Sequence, residues 1–309
     1  MRSETNGVAI IGSIDAKICP AKYRHLLILG FGYSAAAIGT KLCGQFDKIT
    51  VTNRSQTPLS GDGYDHLVFD GQTMSDELRR AIVEATHILI SIAPDDHGDP
   101  VMNACREALI AAREIEWIGY LSTVGVYGNH DGAWVDENTI CKPVSTRSIR
   151  RLAAEQGWQE IAQQKNTPLA IFRLSGIYGP GRNAFVNIDK GRSRRLVKKG
   201  QVFNRIHRDD IANAVDRAIA IKASGTFNIS DDQPAPPQDV VTYAHQLRGL
   251  EPPAEIDFET ADISPMARSF YGENKKVANN KSKSELGLDY QWPDFRLAFD
   301  AMWKNDNWK

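Results

Sequence analysis

The chain reads as an α/β protein with a doubly wound parallel sheet, and three observations predict it. Short apolar runs recur with helix-length segments between them, the first run breaks into glycines at the start of an alanine-rich stretch, and the order strand, helix, strand repeats. The first strand begins at His25. Residues 25–35 read HLLILGFGYSA, an apolar run followed by Gly30-x-Gly32-x-x-Ala35 and a helix expected over Ala35 to Phe46. Gly30 permits the sharp turn, Gly32 lets the backbone approach a pyrophosphate, and the small Ala35 lets the helix pack closely on the strand. The loop Gly30, Phe31, Gly32, Tyr33, Ser34, Ala35 is therefore a candidate dinucleotide cradle, with the anion on N–H groups at the helix start, and the sheet is expected to be of Rossmann type.

Lys48 to Thr52 (KITVT) is the second strand of a right-handed β-α-β unit. An acidic residue at its end would bond the ribose 2′-hydroxyl of NAD. Here Asn53, Arg54 and Ser55 stand there instead, and the planar fork of Arg54 suits the 2′-phosphate of NADP. NADP is the expected cofactor, with NAD the alternative.

Further strands are expected at His66 to Phe69, His87 to Ile92, Glu116 to Leu121, Leu169 to Leu174 and Thr226 to Ile229. Several are uniformly apolar, as parallel strands covered on both faces must be. Ser75 to Glu84 and Asp99 to Arg113 are the crossover helices, the latter with Val101, Ala104, Cys105, Ala108 and Leu109 along one face. From Gly176 to Asn204, and beyond Asp231, the pattern loosens and proline becomes frequent. The expected organisation is an N-terminal extension (1–24), a dinucleotide-binding domain (25–175, with 205–230 returning to it), and a smaller C-terminal substrate lobe (176–204 and 231–309).

The 37 basic and 38 acidic residues give a net charge of −1, so no global field recruits nucleic acid or an anionic membrane. Cys19, Cys43, Cys105 and Cys141 lack metal-ligand or disulfide-framework spacing and read as reduced thiols of a cytoplasmic protein. No apolar stretch approaches the length of a membrane span, and Asp15, Lys17 and Pro20 interrupt what would be a signal core. A monomer or homodimer that acts on a small molecule is expected.

Four ordered segments carry a resemblance: Tyr120-Leu-Ser-Thr-Val-Gly-Val-Tyr-Gly128, Arg173-Leu-Ser-Gly-Ile-Tyr-Gly-Pro-Gly181, Ile206-His-Arg-Asp-Asp-Ile211 and Phe227-Asn-Ile229. Over roughly residues 25 to 230 the chain resembles the extended short-chain dehydrogenase/reductase family, which includes NAD-dependent epimerases and dehydratases of nucleotide sugars. The resemblance implies that Asp70 sits beside the adenine, that Ile92, Ala93 and Pro94 line the path to the nicotinamide, with Ser122 nearby, and that Thr123 is the catalytic Ser/Thr. It also implies that Tyr178 to Gly181 turn the chain into the substrate lobe; Tyr178, Arg182 and Arg205 are the candidate substrate contacts.

The family places a Tyr and, four residues on, a Lys on the helix after the Thr-bearing strand. In this chain Arg147 and Arg151 occupy those places, on one helical face. Arginine stays protonated, so Arg147 cannot act as general acid/base, which leaves it the roles of holding an anionic substrate or stabilising an oxyanion. Arg151 retains the means to bond the nicotinamide ribose. The competing reading makes Arg147, Arg150 and Arg151 a solvated helix face with Ile149, Leu152 and Ala153 packed beneath. The replacement acid is sought among Tyr127, Tyr178, Tyr120 and His97, with Tyr127 favoured because it leaves the same strand as Thr123. Val124 and Gly125 follow Thr123 where the dehydratase branch has Asp-Glu, which argues against dehydration by that route.

Between Lys190 and Arg208 lie Lys190, Arg192, Arg194, Arg195, Lys198, Lys199, Arg205 and Arg208 without an acidic residue, either a solvated surface or a receptor for phosphate or carboxylate. Asp95, Asp96, His97 and Asp99, interleaved with Gly98 and Pro100, read as a polar loop over the cofactor and not as a metal site. The expected function is an NAD(P)-binding oxidoreductase or epimerase on a small polar substrate, phosphorylated or nucleotide-linked among the options. The alternative is a non-catalytic NADP(H)-binding regulator or redox sensor.

Overall fold

The computed structural model describes residues 23–55 and 63–309. The N-terminal extension expected over 1–24, with Cys19, lies outside the described residues except for Tyr23 and Arg24.

The first half follows the predicted alternation. β1 (His25–Leu29), every residue of it buried, leads through the glycine loop into α1 (Tyr33–Leu42), then β2 (Lys48–Asn53) and β3 (Asp65–Val68). α2 (Asp76–Glu84) starts where the Ser75 hydroxyl accepts the Leu78 N–H, and β4 (His87–Ile90) follows, two residues shorter than expected because the chain leaves the sheet at Ser91. α3 (Pro100–Ala111) is set by Asp99, whose carboxylate accepts the N–H groups of Val101 and Met102 while Pro100 takes the first helical position. β5 (Trp117–Thr123) runs into a 3-10 turn over Val124–Tyr127 and the short β6 (Trp134–Val135). α4 (Thr146–Lys165) is capped by Ser145 and closed by Asn166 in the left-handed conformation.

β7 (Leu169–Leu174) returns to the sheet, and the chain then leaves it through β8 (Gly176–Tyr178), α5 (Ala184–Asp189) and β9 (Arg195–Val197). It comes back through β10 (Arg205–His207), α6 (Arg208–Ala220) and β11 (Gly225–Ile229). The remainder forms α7 (Pro237–Leu247), β12 (Glu255–Asp257), α8 (Pro265–Phe270), β13 (Lys276–Val277), α9 (Asn280–Leu286) and α10 (Phe295–Lys304).

The central sheet has seven strands in the order β11-β7-β5-β4-β1-β2-β3, and all its pairings are parallel. Uniformly apolar strands are buried on both faces, and each face has its own core. On one side Ile28, Val51, Phe172 and Phe227 pack beneath α1 and α6; on the other Leu27, Ile88, Ile118 and Trp158 pack beneath α2, α3 and α4. A third cluster around Tyr178, Phe185, Phe299, Met302 and Trp308 is the core of a smaller lobe. Leu286, Leu288 and Tyr290, in the stretch expected to belong to that lobe, pack instead into the main core beside α6.

Two short parallel ribbons join the parts. β8 pairs with β10, in the register Gly176 to Arg205 and Tyr178 to His207, and β6 pairs with β13. The cavity described next lies at this junction, beyond the carboxyl ends of β4, β5 and β7, where open α/β sheets bind ligands.

Candidate active site

The glycine loop is built to leave amides exposed at a helix start. Its first two N–H groups are tied down: Gly30 N–H donates to the Thr52 hydroxyl and Phe31 N–H to the Thr52 carbonyl, both at 2.8 Å. From Gly32 onward the amides belong to the open end of α1, where the first intrahelical acceptor used is Gly32 O, by Ala36 N–H at 2.8 Å. Gly32 is the N-cap and offers no capping side chain, and a β-carbon on it would meet nothing within 4 Å. That open space above uncapped amides fits a pyrophosphate. Gly30 is required for a different reason. It sits at φ +93, and a β-carbon there would fall 2.6 Å from Ile92 Cγ1, so the loop and the segment after β4 approach as only glycine permits. Ala35 is fully buried against the sheet.

At the end of β2, Arg54 and Ser55 are exposed and Asn53 is half-buried. Asp70 is exposed, and one of its oxygens accepts the N–H groups of Gln72 at 2.8 Å and Thr73 at 3.1 Å, which hold its carboxyl below the usual range. Thr52, which sequence reasoning passed over, is the residue that fastens the loop to its neighbouring strand.

A cavity of about 590 Å³ opens between the sheet and the smaller lobe. From the sheet side Ala93, Pro94, Thr123, Arg147 and Arg151 reach it, and from the lobe side Tyr178 and Arg205, so seven of the residues singled out in the sequence meet there. Thr123 is half-buried. Its Oγ1 accepts the Gly125 N–H at 3.1 Å, which fixes the rotamer and leaves the hydroxyl hydrogen as a donor. Arg147 is exposed on the first turn of α4 with its guanidinium 5.0 Å from the Phe270 ring centroid. Arg151, one turn on, donates to the Leu121 carbonyl at 2.7 Å and to the Tyr120 hydroxyl at 3.2 Å. The solvated-face reading of this helix fails in part. Arg150 turns away to pair with Asp96, Ile149 is 51% exposed, and Ala153 is exposed too, whereas Ala154, Glu155 and Trp158 form the buried face.

Two further lining residues, Glu273 and Lys275, were not foreseen. Lys275 Nζ donates to Gly128 O at 2.8 Å and pairs with Glu273 at 2.6 Å. In sequence they read as loop charges. The pairing of β13 with β6 brings them to the cavity.

Tyr127, the favoured replacement acid, does not line the cavity. It is fully buried, its hydroxyl donates to Asn228 Oδ1 at 2.7 Å, Arg173 lies over its ring, and burial pushes its pKa up to about 12. Tyr120 is buried beside Arg151, with its pKa raised by burial. His97 is exposed in the loop after β4. Of the four candidates only Tyr178 lines the cavity, and its hydroxyl is shielded from solvent and raised in pKa by burial. Ser122 faces the opposite side of β5, as alternation along a strand dictates, and donates to Glu155. Arg182 lies outside the cavity, its guanidinium 5.9 Å from the Tyr33 ring centroid. The acidic loop is also accounted for: Asp99 caps α3 and accepts from Trp158 Nε1 at 3.0 Å, Asp96 meets Arg150, and Asp95 accepts the His97 N–H. In the basic run, Arg195 pairs with Glu255, and Arg194 and Lys198 donate to the carbonyls of Asp262 and Tyr271. No helix among the described residues is long and apolar enough to cross a membrane.

Comparison with known proteins agrees with this fold. The chain is 28% identical over 290 residues to Protein YeeZ of Escherichia coli (strain K12), covering 88% of this chain and 97% of that one. A solved structure of a functionally unknown conserved protein from Silicibacter pomeroyi DSS superposes with a TM-score of 0.83 at 43% identity, over 92% of this chain and 99% of the other. The human epimerase family protein SDR39U1, solved with NADPH, shares the fold at 15% identity and a TM-score of 0.70, over 91% and 99% of the two chains. The sequence profile of the NAD dependent epimerase/dehydratase family matches residues 98–230, the stretch that carries Thr123, α4 and the β8–β10 ribbon. Over residues 98–230 the chain matches the NAD dependent epimerase/dehydratase family, which fits the resemblance carried by its sequence motifs.

Proposed function

We propose that the protein is an NADP(H)-dependent oxidoreductase or epimerase acting on a small anionic substrate, with Arg147 receiving the anion. The family match over residues 98–230 supports a nicotinamide dinucleotide as cofactor, and the lack of a carboxylate at the end of β2, where Arg54 and Ser55 stand, favours NADP over NAD. The observation that carries the reading is the single cavity that gathers Ala93, Pro94 and Thr123 with Arg147, Tyr178 and Arg205.

When bound, the nicotinamide supplies or accepts a hydride. The chain's own groups position the substrate, and the proton that accompanies the hydride is exchanged with water, because Arg147 cannot supply it. Thr123 donates a hydrogen bond to the reacting oxygen. Arg151, held by the Leu121 carbonyl, is the residue that would bond the cofactor's ribose. Among the described residues Arg147 has only an aromatic ring against it, and it stands on the first turn of α4, which carries no acidic residue. A helix start and an unpaired guanidinium both favour an anion there. Lys275 and Glu273 neutralise each other at the cavity wall and leave that preference intact. Val124, Leu174, Ile177, Val202 and Phe203 give the lining an apolar share, which suits a compact substrate body, beside the polar Ser145, Ser148, Ser175, Asn204 and Ser269. Part of the 590 Å³ must admit the nicotinamide, so the substrate is small.

The regulator reading is favoured by one observation: none of the tyrosines considered presents an accessible hydroxyl to the cavity. One experiment separates the two. NADPH oxidation is followed across aldehydes, ketones and keto acids, with binding measured in parallel. Turnover confined to anionic substrates and weakened in Arg147→Gln supports the enzyme. Tight NADPH binding without oxidation of any of them supports the regulator.

A further inference from the structure

We infer that Arg182 and Arg208 clamp the coenzyme's pyrophosphate from the side opposite the glycine loop, an inference that rests on the coenzyme reading above. Tyr33 is the first residue of α1, immediately after Gly32, so its ring borders the anion-receiving end of the helix. Two guanidinium groups from separate parts of the chain converge on that ring: Arg208 at 5.1 Å from its centroid and Arg182 at 5.9 Å.

Their positions are fixed by the backbone. Arg182 closes a turn in which Gly179 and Arg182 exchange both backbone hydrogen bonds, at 3.1 and 3.0 Å. Arg208 opens α6 directly after His207, the residue that pairs with Tyr178 across the β8–β10 ribbon. Both arginines thus project from the same end of one ribbon. That end is fastened to the cofactor helix, because the Tyr33 hydroxyl donates to Pro180 O at 2.9 Å. Gly179 makes the approach possible, since a β-carbon on it would lie 2.8 Å from that hydroxyl.

The charges are not spent on each other's surroundings. Among the described residues Arg182 has no carboxylate within ion-pair distance, and Arg208 has one, Asp209, at 3.5 Å from Nε. Two cations against one anion leave a surplus beside uncapped amides. A pyrophosphate within a dinucleotide carries two negative charges, and the paired non-bridging oxygens on each phosphorus accept two parallel N–H bonds from a planar guanidinium fork. Arg182 is therefore reassigned from the substrate to the cofactor.

The test is coenzyme affinity of the full chain, read by protein fluorescence quenching, for NADPH and NADH separately. NADPH and NADH share the pyrophosphate, so Arg182→Gln and Arg208→Gln are each expected to weaken both by about the same factor, roughly tenfold for the loss of a charge-assisted hydrogen bond. The double change should cost more, and the binding should lose part of its salt dependence. Arg182→Lys and Arg208→Lys, which retain the charge, should recover part of the affinity. Unchanged affinity in the double variant overturns the clamp, and so does a loss confined to NADPH, which would place the arginines at the 2′-phosphate. If the unaltered protein takes up neither coenzyme, the proposed function fails as well.

Discussion

Arg173 on β7 and Glu155 on α4 form a two-pronged ion pair behind the cavity, with Nη2 to Oε2 at 2.7 Å and Nε to Oε1 at 3.2 Å, and both side chains are almost wholly removed from solvent. Ser122 donates to the same carboxylate, and the guanidinium lies 4.8 Å from the Tyr127 ring centroid. The pair joins the strand before the β8 exit to the helix that carries Arg147 and Arg151. It holds the cavity's sheet-side wall as one piece.

Glu155→Ala leaves a buried guanidinium without its counter-ion, and stability should fall by roughly 3–5 kcal/mol. Replacing both partners by methionine should cost clearly less, because no charge remains stranded. Denaturant midpoints of the two variants check this, and equal losses would show that packing, not charge, sets the cost.

Arg54→Ala should bring NADPH affinity down toward that of NADH and leave NADH nearly unchanged. The expected loss is on the order of tenfold, the worth of a charge-assisted contact to the 2′-phosphate. Direct titration with the two coenzymes decides it. Equal affinities in the unaltered protein would refute the NADP assignment.

Thr123→Val keeps the β-branched shape of the strand end and removes the hydroxyl. Turnover with any accepted substrate should drop by about a hundredfold or more, as when one donor to a reacting oxygen is lost, while coenzyme affinity hardly changes. An unimpaired rate would take Thr123 out of the mechanism. Parallel kinetic and binding measurements on one preparation keep the two effects apart.

His207 gives a pH prediction with a definite sign. Burial lowers its pKa from 6.5 to about 4, with Asp209 opposing and Arg208 assisting that shift. Between those values the unfolded chain binds the proton more readily than the folded one. The imidazole's contribution is therefore fully present above pH 6.5 and is lost as the pH falls toward 4. Asp210, raised to about 6 by burial, works in the opposite direction, so the wild type alone would mix the two. The difference in stability between the wild type and His207→Gln isolates the histidine. It should shrink on acidification across that window, and a constant difference would contradict it.

The sheet was legible because each central strand announces itself by an uninterrupted apolar run, and because Gly30 and Gly32 mark the first crossover. Arg147 and Arg151 could be placed together since four residues span about one helical turn. Tyr127 could not be placed. The 3-10 turn over Val124–Tyr127 breaks the two-residue alternation of β5, so nothing in the spacing says which way that ring points. Ser122 could have been, since it neighbours Thr123 on one strand and must face the other side. Glu273 and Lys275 lie some 150 positions from Thr123 and reach the cavity through a ribbon two residues long, a signal too short to read in advance.

The chain departs for the smaller lobe through β8 and comes home through β10, side by side and pointing the same way. Residues 179 to 204, between those two passages, pack on the later elements of the smaller lobe through the β9–β12 pairing and the cluster around Phe185, and they meet the coenzyme loop through Pro180 and Arg182 against Tyr33. Changes confined to residues 183 to 204 would alter which molecules are admitted while leaving the parallel strands, Pro180, Arg182 and Arg208 in place. A graft from a relative that keeps Pro180 and Arg182 and carries along the partners on which α5 and β9 pack is the natural way to exchange substrate preference while the redox apparatus is inherited intact.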